Sequence, residues 1–472
     1  MKTFSLALRN LLRNRRRSLT TLLSMMVGLV AILIFGGYKS NVIYGMETGF
    51  VQGSGHLQIQ RKDYFLEGGD NPTAYGIADY QHIIDTIRRD PVLAPMLTVV
   101  TPSLQLGGMA GNFSAGVSRS VMAFGVVIDE HNQMLGWNDY HLRSYAKPLP
   151  LAGSSPDAVV LGTGVARKLK LCSALNLPDC SQQAPVVVAS TGKPTPADIA
   201  ALSAQEKTSA LAQQQQPQKD TRIEMLAATA HGAPNVASLS VVEAKNMGIK
   251  ALDDVYLAMH LAQAQRLIYG QTSGTTSPQV TAIRIQLQHT SQIPAARARL
   301  TQLLANDFKD QSLDLLDFSA LNPMYQQTAQ FMDSIFGFIS ILIAVIVLFT
   351  IGNTMSTAIV ERTVEIGTLR AMGLRRSGIR RLFLCEGMLL SATGAALGVL
   401  CALTIAYFIN HSGMSWTPPG YSYAYLILIR IWQNPPLLIG SVIGLMIVTL
   451  ISAWWPANRA SRLMIVDALR HV

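Results

Sequence analysis

Charge is scarce in this chain. Asp, Glu, Lys and Arg make up only 14% of its 472 residues, and four long stretches (18–38, 334–360, 387–409 and 437–455) contain none of them. An ionised side chain is costly in hydrocarbon, and each backbone amide there must be paired internally, so charge-free runs of this length are expected to be membrane-spanning helices. Asp, Glu and His form no series along the runs, which counts against a proton-coupled carrier. The G-x-x-x-x-G-K-[ST] phosphate loop, G-x-S-x-G and H-E-x-x-H are all missing, so the chain lacks the signatures of a nucleotide hydrolase, a nucleophile elbow or a zinc protease. The nearest glycine cluster, Gly162 and Gly164 in VLGTGVARKL, has no Gly-Lys-Ser/Thr ending and reads as the start of a helix. Nine histidines are scattered, His56, His82 and His260 among them, and suit core or surface positions better than catalysis.

Only four cysteines are present. Cys172 and Cys180 lie eight apart in LCSALNLPDC, a spacing that fits a disulfide in an oxidising compartment. Without a neighbouring histidine, two thiolates rarely close a zinc site, so no metal is expected. Cys385 and Cys401 fall in or beside the third apolar run and read as small packing residues.

The charges that do occur are unevenly placed. The arm 1–17 carries six Lys or Arg and no acid, the segment 361–381 six Arg against two Glu, and the tail after Trp455 three Arg against Asp467. These pieces carry +12 of a total of +10, leaving the remainder slightly acidic. The high pI therefore reports topology rather than nucleic-acid binding, which would need a basic face on a soluble domain. Both termini and 361–382 are placed in the cytosol. The first run, behind Arg13, Arg15, Arg16 and Arg17, lacks an A-x-A-like cleavage site and reads as a retained anchor.

That orientation puts 39–333 and the short loop 410–436 outside. The outer insert is large enough for real cores. Near its start, 56–60 alternates like a strand, 80–89 has helical spacing and 98–109 reads as a strand; near its end, 280–288, 294–308 and 313–318 repeat the pattern. A membrane-proximal part (about 50–128 plus 251–320) and a distal part (about 129–250) are expected, with 191–220, rich in Gln and Pro, as a surface excursion. Asn322 and Pro323 suit a cap and a first helical residue. From there the pattern passes Ala329 and enters the second span, 334–360, without a breaker, which implies a rigid lever. Gly387, Ser391, Gly394 and Gly398 recur at helical spacing in the third span, 383–409, and would admit another helix closely, either in this subunit or in a second one. The fourth span is 437–455, followed by the tail 456–472.

ERTVEIGTLRAMGLRRSGIRRLFLCEG, the glycine-rich span after it and WWPANRASRLMIVDALR resemble the C-terminal signature of FtsX-like ABC permeases, the superfamily of the macrolide exporter MacB and the lipoprotein-releasing LolC/LolE proteins. LALRNLLRNRRRSLTTLLS, GSGHLQI and VVLGTGVARKL followed by VVVAS resemble it as well. The resemblance implies an α+β membrane protein, with four transmembrane helices and a two-subdomain α/β periplasmic domain inserted between helices 1 and 2. It further implies a permease pair driven by two ATPase subunits that hold the ATP and Mg, and it maps Glu361, Arg362, Glu365, Gly367, Arg370 and Gly373 onto the loop that docks in the ATPase. The Cys172 to Cys180 loop and the Gln-rich stretch depart from the family pattern.

The resulting expectation is a permease subunit of the bacterial inner membrane, not itself an enzyme, that extracts or exports a lipoprotein or amphiphile. Drug or peptide efflux with a periplasmic adaptor, and activation of a periplasmic cell-wall hydrolase, are the alternatives. The expected partners are an ABC ATPase, a second permease (identical or homologous), a periplasmic cargo acceptor or adaptor and membrane lipids, with no nucleic acid.

Overall fold

The computed structural model describes residues 15–68, 72–142, 146–177, 221–230, 232–270, 278–417, 420–422 and 424–462. The chain divides into a helical unit (Met1–Met46, Met324–Trp416, Tyr425–Val472) and a sheet unit (Glu47–Pro323, Thr417–Ala424).

In chain order the elements are α1 (Arg15–Ser54), β1 (Leu57–Arg61), α2 (Tyr64–Glu67), α3 (Tyr80–Arg89), β2 (Leu97–Asn112), β3 (Val117–Val126), α4 (Ile128–Leu135), β4 (Ala158–Gly162) and α5 (Thr163–Lys168). There follow β5 (Arg222–Ala228), β6 (Pro234–Lys245), α6 (Lys250–Asp253), β7 (Tyr256–His260), α7 (Leu261–Tyr269), β8 (Ala282–Leu287), α8 (Ile293–Asp307), β9 (Leu313–Asp317) and α9 (Phe318–Leu321). The chain then runs through α10 (Pro323–Glu361), α11 (Thr363–Ala371), α12 (Arg376–His411), β10 (Ser415–Trp416), β11 (Tyr425–Leu426) and α13 (Pro435–Ser461).

Among the described residues four helices are long and apolar enough to cross a membrane: Ser18–Ser54 within α1, α10, α12 and α13. Each runs past its charge-free stretch, because the polar flanks keep helical spacing and only Gly or Pro with the right neighbours would stop them. Within the helical unit their facing sides meet in one apolar cluster. It includes Met25, Leu29 and Leu33 of α1, Val347, Ile351, Met355 and Ile359 of α10, Leu390, Ala395, Ala402 and Ala406 of α12, and Leu445, Ala457 and Ala460 of α13. The four-residue spacing in α10 marks a single buried stripe. Thr21 Oγ1 donates to Thr354 Oγ1 at 3.1 Å, Lys39 pairs with Asp333, and Phe35 stacks on Phe336 with 6.2 Å between centroids.

Among the described residues the sheet unit is built on nine strands in the order β3-β7-β4-β6-β5-β2-β8-β1-β9, with β3 also paired to β2. The pairings β2-β3-β7-β4-β6-β5 and back to β2 therefore close a ring of six, in which only β3–β7 and β4–β6 are parallel. The long strand β2 makes this possible. Its second half pairs with β3, while its first half pairs with β8 and leads into an antiparallel run through β1 to β9. Both strand-helix-strand runs expected at the ends of the insert are present, as β1-α3-β2 and β8-α8-β9.

Alternation assigns the two faces of that antiparallel run. Leu57, Ile59, Ile283 and Ile285 share a core with Ile83, Ile84 and Ile87 of α3 and Ala296, Leu300 and Leu303 of α8. Each large aliphatic side chain so buried contributes roughly 1.5–3 kcal/mol. The opposite face carries Gln58, Gln60, Thr101, Arg284 and Gln286, all buried as well. The tip of the 410–436 loop also belongs to this unit: Ile249 bridges Tyr421, Lys250 N donates to Gly420 O at 2.9 Å and Ser422 N to Gly248 O at 2.8 Å.

Candidate functional site

The segment joining α10 to α12 folds into one short helix with a defined stop at each end. Arg362, at φ −107° and ψ 17°, breaks α10, and α11 starts immediately after it. Glu365 in the first turn and Arg370 in the last complement the helix dipole. Gly373 ends the helix at φ +94°: its N–H reaches the Arg370 carbonyl at 3.0 Å, and the Leu374 N–H reaches that of Leu369 at 3.1 Å. This pair of bonds is the Schellman arrangement, which needs a left-handed residue at that position and favours glycine. Nothing lies within 4 Å of where a Cβ would stand, so conformation rather than space selects glycine here.

The two sides of α11 differ in chemistry. Ile366 and Gly367 are buried, and Arg362 turns inward, where its Nη1 donates to Glu386 Oε1 of α12 at 3.1 Å. Both side chains of that pair are buried, at 8% and 4% exposure. Facing out are Glu361, Val364, Glu365, Met372, Gly373 and Leu374, with Met372 77% exposed. The six residues expected to dock a partner therefore separate: Glu361, Glu365 and Gly373 lie on the open side, Arg370 is half-buried, and Arg362 and Gly367 face inward. Arg362, mapped onto the docking loop by resemblance, has its guanidinium buried and bonded to Glu386. Sequence reading passed over Glu386, since the third charge-free run begins one residue later. An acid at the edge of a span requires a cationic partner, and that requirement is the signal that points to it. Exposed Val364 and Met372 were missed too, because apolar residues on an amphipathic helix are expected to turn inward.

The remaining candidates fall along the long helices and in the sheet unit. α10 begins at Pro323 and passes Ala329 without a break. Gly387, Ser391, Gly394 and Gly398 are all buried. A Cβ on Gly387 would stand 3.3 Å from the Ala453 Cβ of α13, one on Gly394 3.2 Å from the Met25 Cβ of α1, and one on Gly398 3.1 Å from Leu29 Cδ2. The chain's own helices thus fill the small-residue stripe. Cys172 is disulfide-bonded, while Cys385 and Cys401 are free. Cys180, the 191–220 excursion, the arm as far as residue 14 and the tail from 463 lie outside the described residues.

The glycine turn at Gly162 and Gly164 does start a helix, and the seat at its N-terminus is taken. The Asp253 carboxylate accepts from Thr163 N at 2.9 Å, Thr163 Oγ1 at 2.5 Å and Gly164 N at 3.0 Å. A side chain on Gly162 would collide with the Asp253 carbonyl, and one on Gly164 with Asp254. A helix N-terminus of this kind can hold a phosphate; here an internal carboxylate occupies it. Among the described residues no three His, Cys, Asp or Glu converge as a metal-holding group.

Residues 337–465 match the family described as FtsX-like permease C-terminal. The chain is 26% identical over 188 residues to a macrolide export ATP-binding/permease protein MacB of Bordetella avium, covering 40% of this chain and 27% of that protein. It is 31% identical over 143 residues to the ABC transporter permease YtrF of Bacillus subtilis, covering 28% and 30%. With an uncharacterized ABC transporter permease of the same organism, YvrN, it shares 29% identity over 198 residues, covering 40% and 44%. The chain thus spans less than half the length of each of these relatives. The matched segment holds α11, its anchoring ion pair, α12, α13 and most of α10, and over it the chain is similar to membrane permeases of the FtsX/MacB type.

Proposed function

We propose that this chain is the permease subunit of an ABC transporter of a bacterial inner membrane, and that it passes the motion of a separate ATPase to a periplasmic sheet unit. The observation that carries the reading is α11. A short helix on the most basic internal segment of the chain is bolted to α12 from behind by Arg362 and Glu386. On its open side it presents acids beside exposed apolar side chains, Glu361 and Glu365 beside Val364 and Met372. Positive-inside topology alone asks for neither the acids nor the exposed apolar surface. A mixed surface of that kind suits a protein partner, with apolar contact for affinity and charge for register.

The cargo in this reading is a lipoprotein or another amphiphile, taken from the outer leaflet by movement of the sheet unit. Two ATPase copies and a second permease complete the assembly, and ATP and Mg stay with the ATPase. Efflux of a macrolide-like compound is the second reading, favoured by the names of the MacB relatives. The purified chain should not hydrolyse ATP. Glu365→Arg or Arg370→Glu should weaken docking and stimulated turnover of the partner ATPase while leaving folding and insertion unchanged. Full stimulation by both reversals, or robust turnover by the isolated chain, would sink the proposal.

A further inference from the structure

Arg284 sits in the middle of β8, buried, and among the described residues no carboxylate lies within ion-pair distance of it. A buried cation without a counter-ion is costly and must find compensation in dipoles. Its Nη1 donates to the Gly53 carbonyl at 3.0 Å. Gly53 lies in the last turn of α1, a helix of 40 residues that has no basic residue of its own in that turn. Two positions along β8, on the same face, Gln286 Nε2 reaches the Val51 carbonyl at 3.3 Å and the Met134 carbonyl at 3.0 Å. The last carbonyls of a helix carry a partial negative charge that attracts cations, and here the Val51 carbonyl accepts from Gly55 N at 3.0 Å as well. β8 therefore supplies the cation that α1 lacks, and α1 supplies the negative end that Arg284 lacks.

Side chains around this contact hold the same turns of α1. Tyr140 OH donates to Glu47 Oε1 at 2.5 Å and Gln52 Nε2 to the Trp137 carbonyl at 2.7 Å. Gly55, at φ +78°, sits against the backbone of Ile285, so a Cβ there would stand 2.7 Å from the Ile285 carbonyl oxygen and the chain leaves α1 directly onto β8. Register places Gln58 and Thr101 on either side of Arg284 across β1 and β2. The charge is thus held at the centre of the antiparallel run rather than at an edge.

We infer that Arg284 is a positioning residue that fastens the C-terminal end of the first membrane helix to the sheet, through the carbonyls of that helix, and that movement of α1 reaches the sheet at β8. The second clause rests on the transmission reading above. The part played is electrostatic as well as steric, so charge and shape separate in the variants. Arg284→Lys keeps the cation, Arg284→Gln keeps a donor without charge, and Arg284→Met keeps neither.

The test uses the full chain in lipid nanodiscs, with Cys385 and Cys401 replaced by Ser and nitroxide labels at Gly49→Cys on α1 and Gln288→Cys just beyond β8. Both positions are exposed, and nothing lies within 4 Å of a Cβ at Gly49. The parent and Arg284→Lys should give one narrow distance distribution; Arg284→Gln should broaden it and Arg284→Met more so. Hydrogen exchange of the last turn of α1 should rise about tenfold in Arg284→Met while β4 and β7 keep their protection, the loss expected when a cation leaves a partly buried helix C-terminus. A narrow distribution and unchanged exchange in Arg284→Met would overturn the fastening. For the second clause, Arg284→Met should leave ATPase stimulation intact while the nucleotide-driven change at Gln288 is lost. Persistence of that change in a loosened variant overturns transmission at β8. A wild type that shows no nucleotide-driven change at all overturns the transmission reading itself, and the fastening is then decided by distance and exchange alone.

Discussion

Arg362 and Glu386 close a buried ion pair at 3.1 Å across the two ends of the segment that carries α11. Removing one partner of such a pair takes away the opposite charge that compensates the other's burial, at a cost of about 3–5 kcal/mol. Arg362→Met and Glu386→Leu should each lower the thermal midpoint of the detergent-solubilised chain sharply. The double variant should recover most of the loss, because both buried charges are then removed together. Additive losses in a double-mutant cycle would refute the pairing.

Transmission through α10 can be tested at Ala329, inside the uninterrupted helix Pro323–Glu361. Ala329→Pro removes one backbone hydrogen bond and pushes its ring against the carbonyl of Tyr325, at about 3 kcal/mol locally. Insertion and ATPase docking should persist while cargo movement falls. Wild-type transport by a normally inserted Ala329→Pro chain would rule out this helix as a rigid lever.

Packing in the helical unit predicts a contrast between two glycines. Gly394→Leu drives a side chain into Met25 and should cost about 1–3 kcal/mol by overpacking. Gly440→Ala, on α13 with nothing within 4 Å of its Cβ position, should be neutral or slightly stabilising through helix propensity. Differential scanning calorimetry in detergent would read both. Equal midpoints would mean that α1 does not pack against α12 at Gly394.

Two buried histidines make the sheet unit sensitive to acid. Burial lowers His56 to about 4 and His131 to about 3 from an ordinary value of 6.5, and Asp139 only partly offsets this at His56. The unfolded chain takes up these protons first. Their contribution to stability is therefore complete above pH 6.5 and is lost as pH falls toward 4, at about 1.4 kcal/mol per pH unit for each fully protonated unfolded histidine. Urea unfolding followed by tryptophan fluorescence at pH 7 and pH 5 should show the fall, and His131→Leu should reduce the slope by one proton. An unchanged slope in His131→Leu would exclude His131 as a source.

Elements whose burial follows their own periodicity were legible in the sequence. The four charge-free runs became four long helices, and β1, α3, β2, β8, α8 and β9 fall within a few residues of their expected places. What escaped was every polar group whose partner lies far along the chain. Arg284 in AIRIQL reads as the solvent side of an alternating strand, yet that side is covered, and the compensating carbonyl is 231 residues away at Gly53. Arg362 reads as an exposed topology charge until Glu386 is seen to neutralise it. Alternation tells which residues share a face but not what covers the second face. The closed ring of β2 to β7 was out of reach for the same reason, since strand order follows from pairing rather than from local pattern.

The carboxylate of Asp253 at the head of α5 joins positions 89 and 90 residues apart in the chain. The entropy of closing a flexible loop grows only with the logarithm of its length, so doubling the intervening chain costs about 0.6 kcal/mol more. Of the stretch between α5 and α6, β5 and β6 are held by their pairing in the ring, so residues added or lost outside those two strands need not disturb the anchor at Asp253.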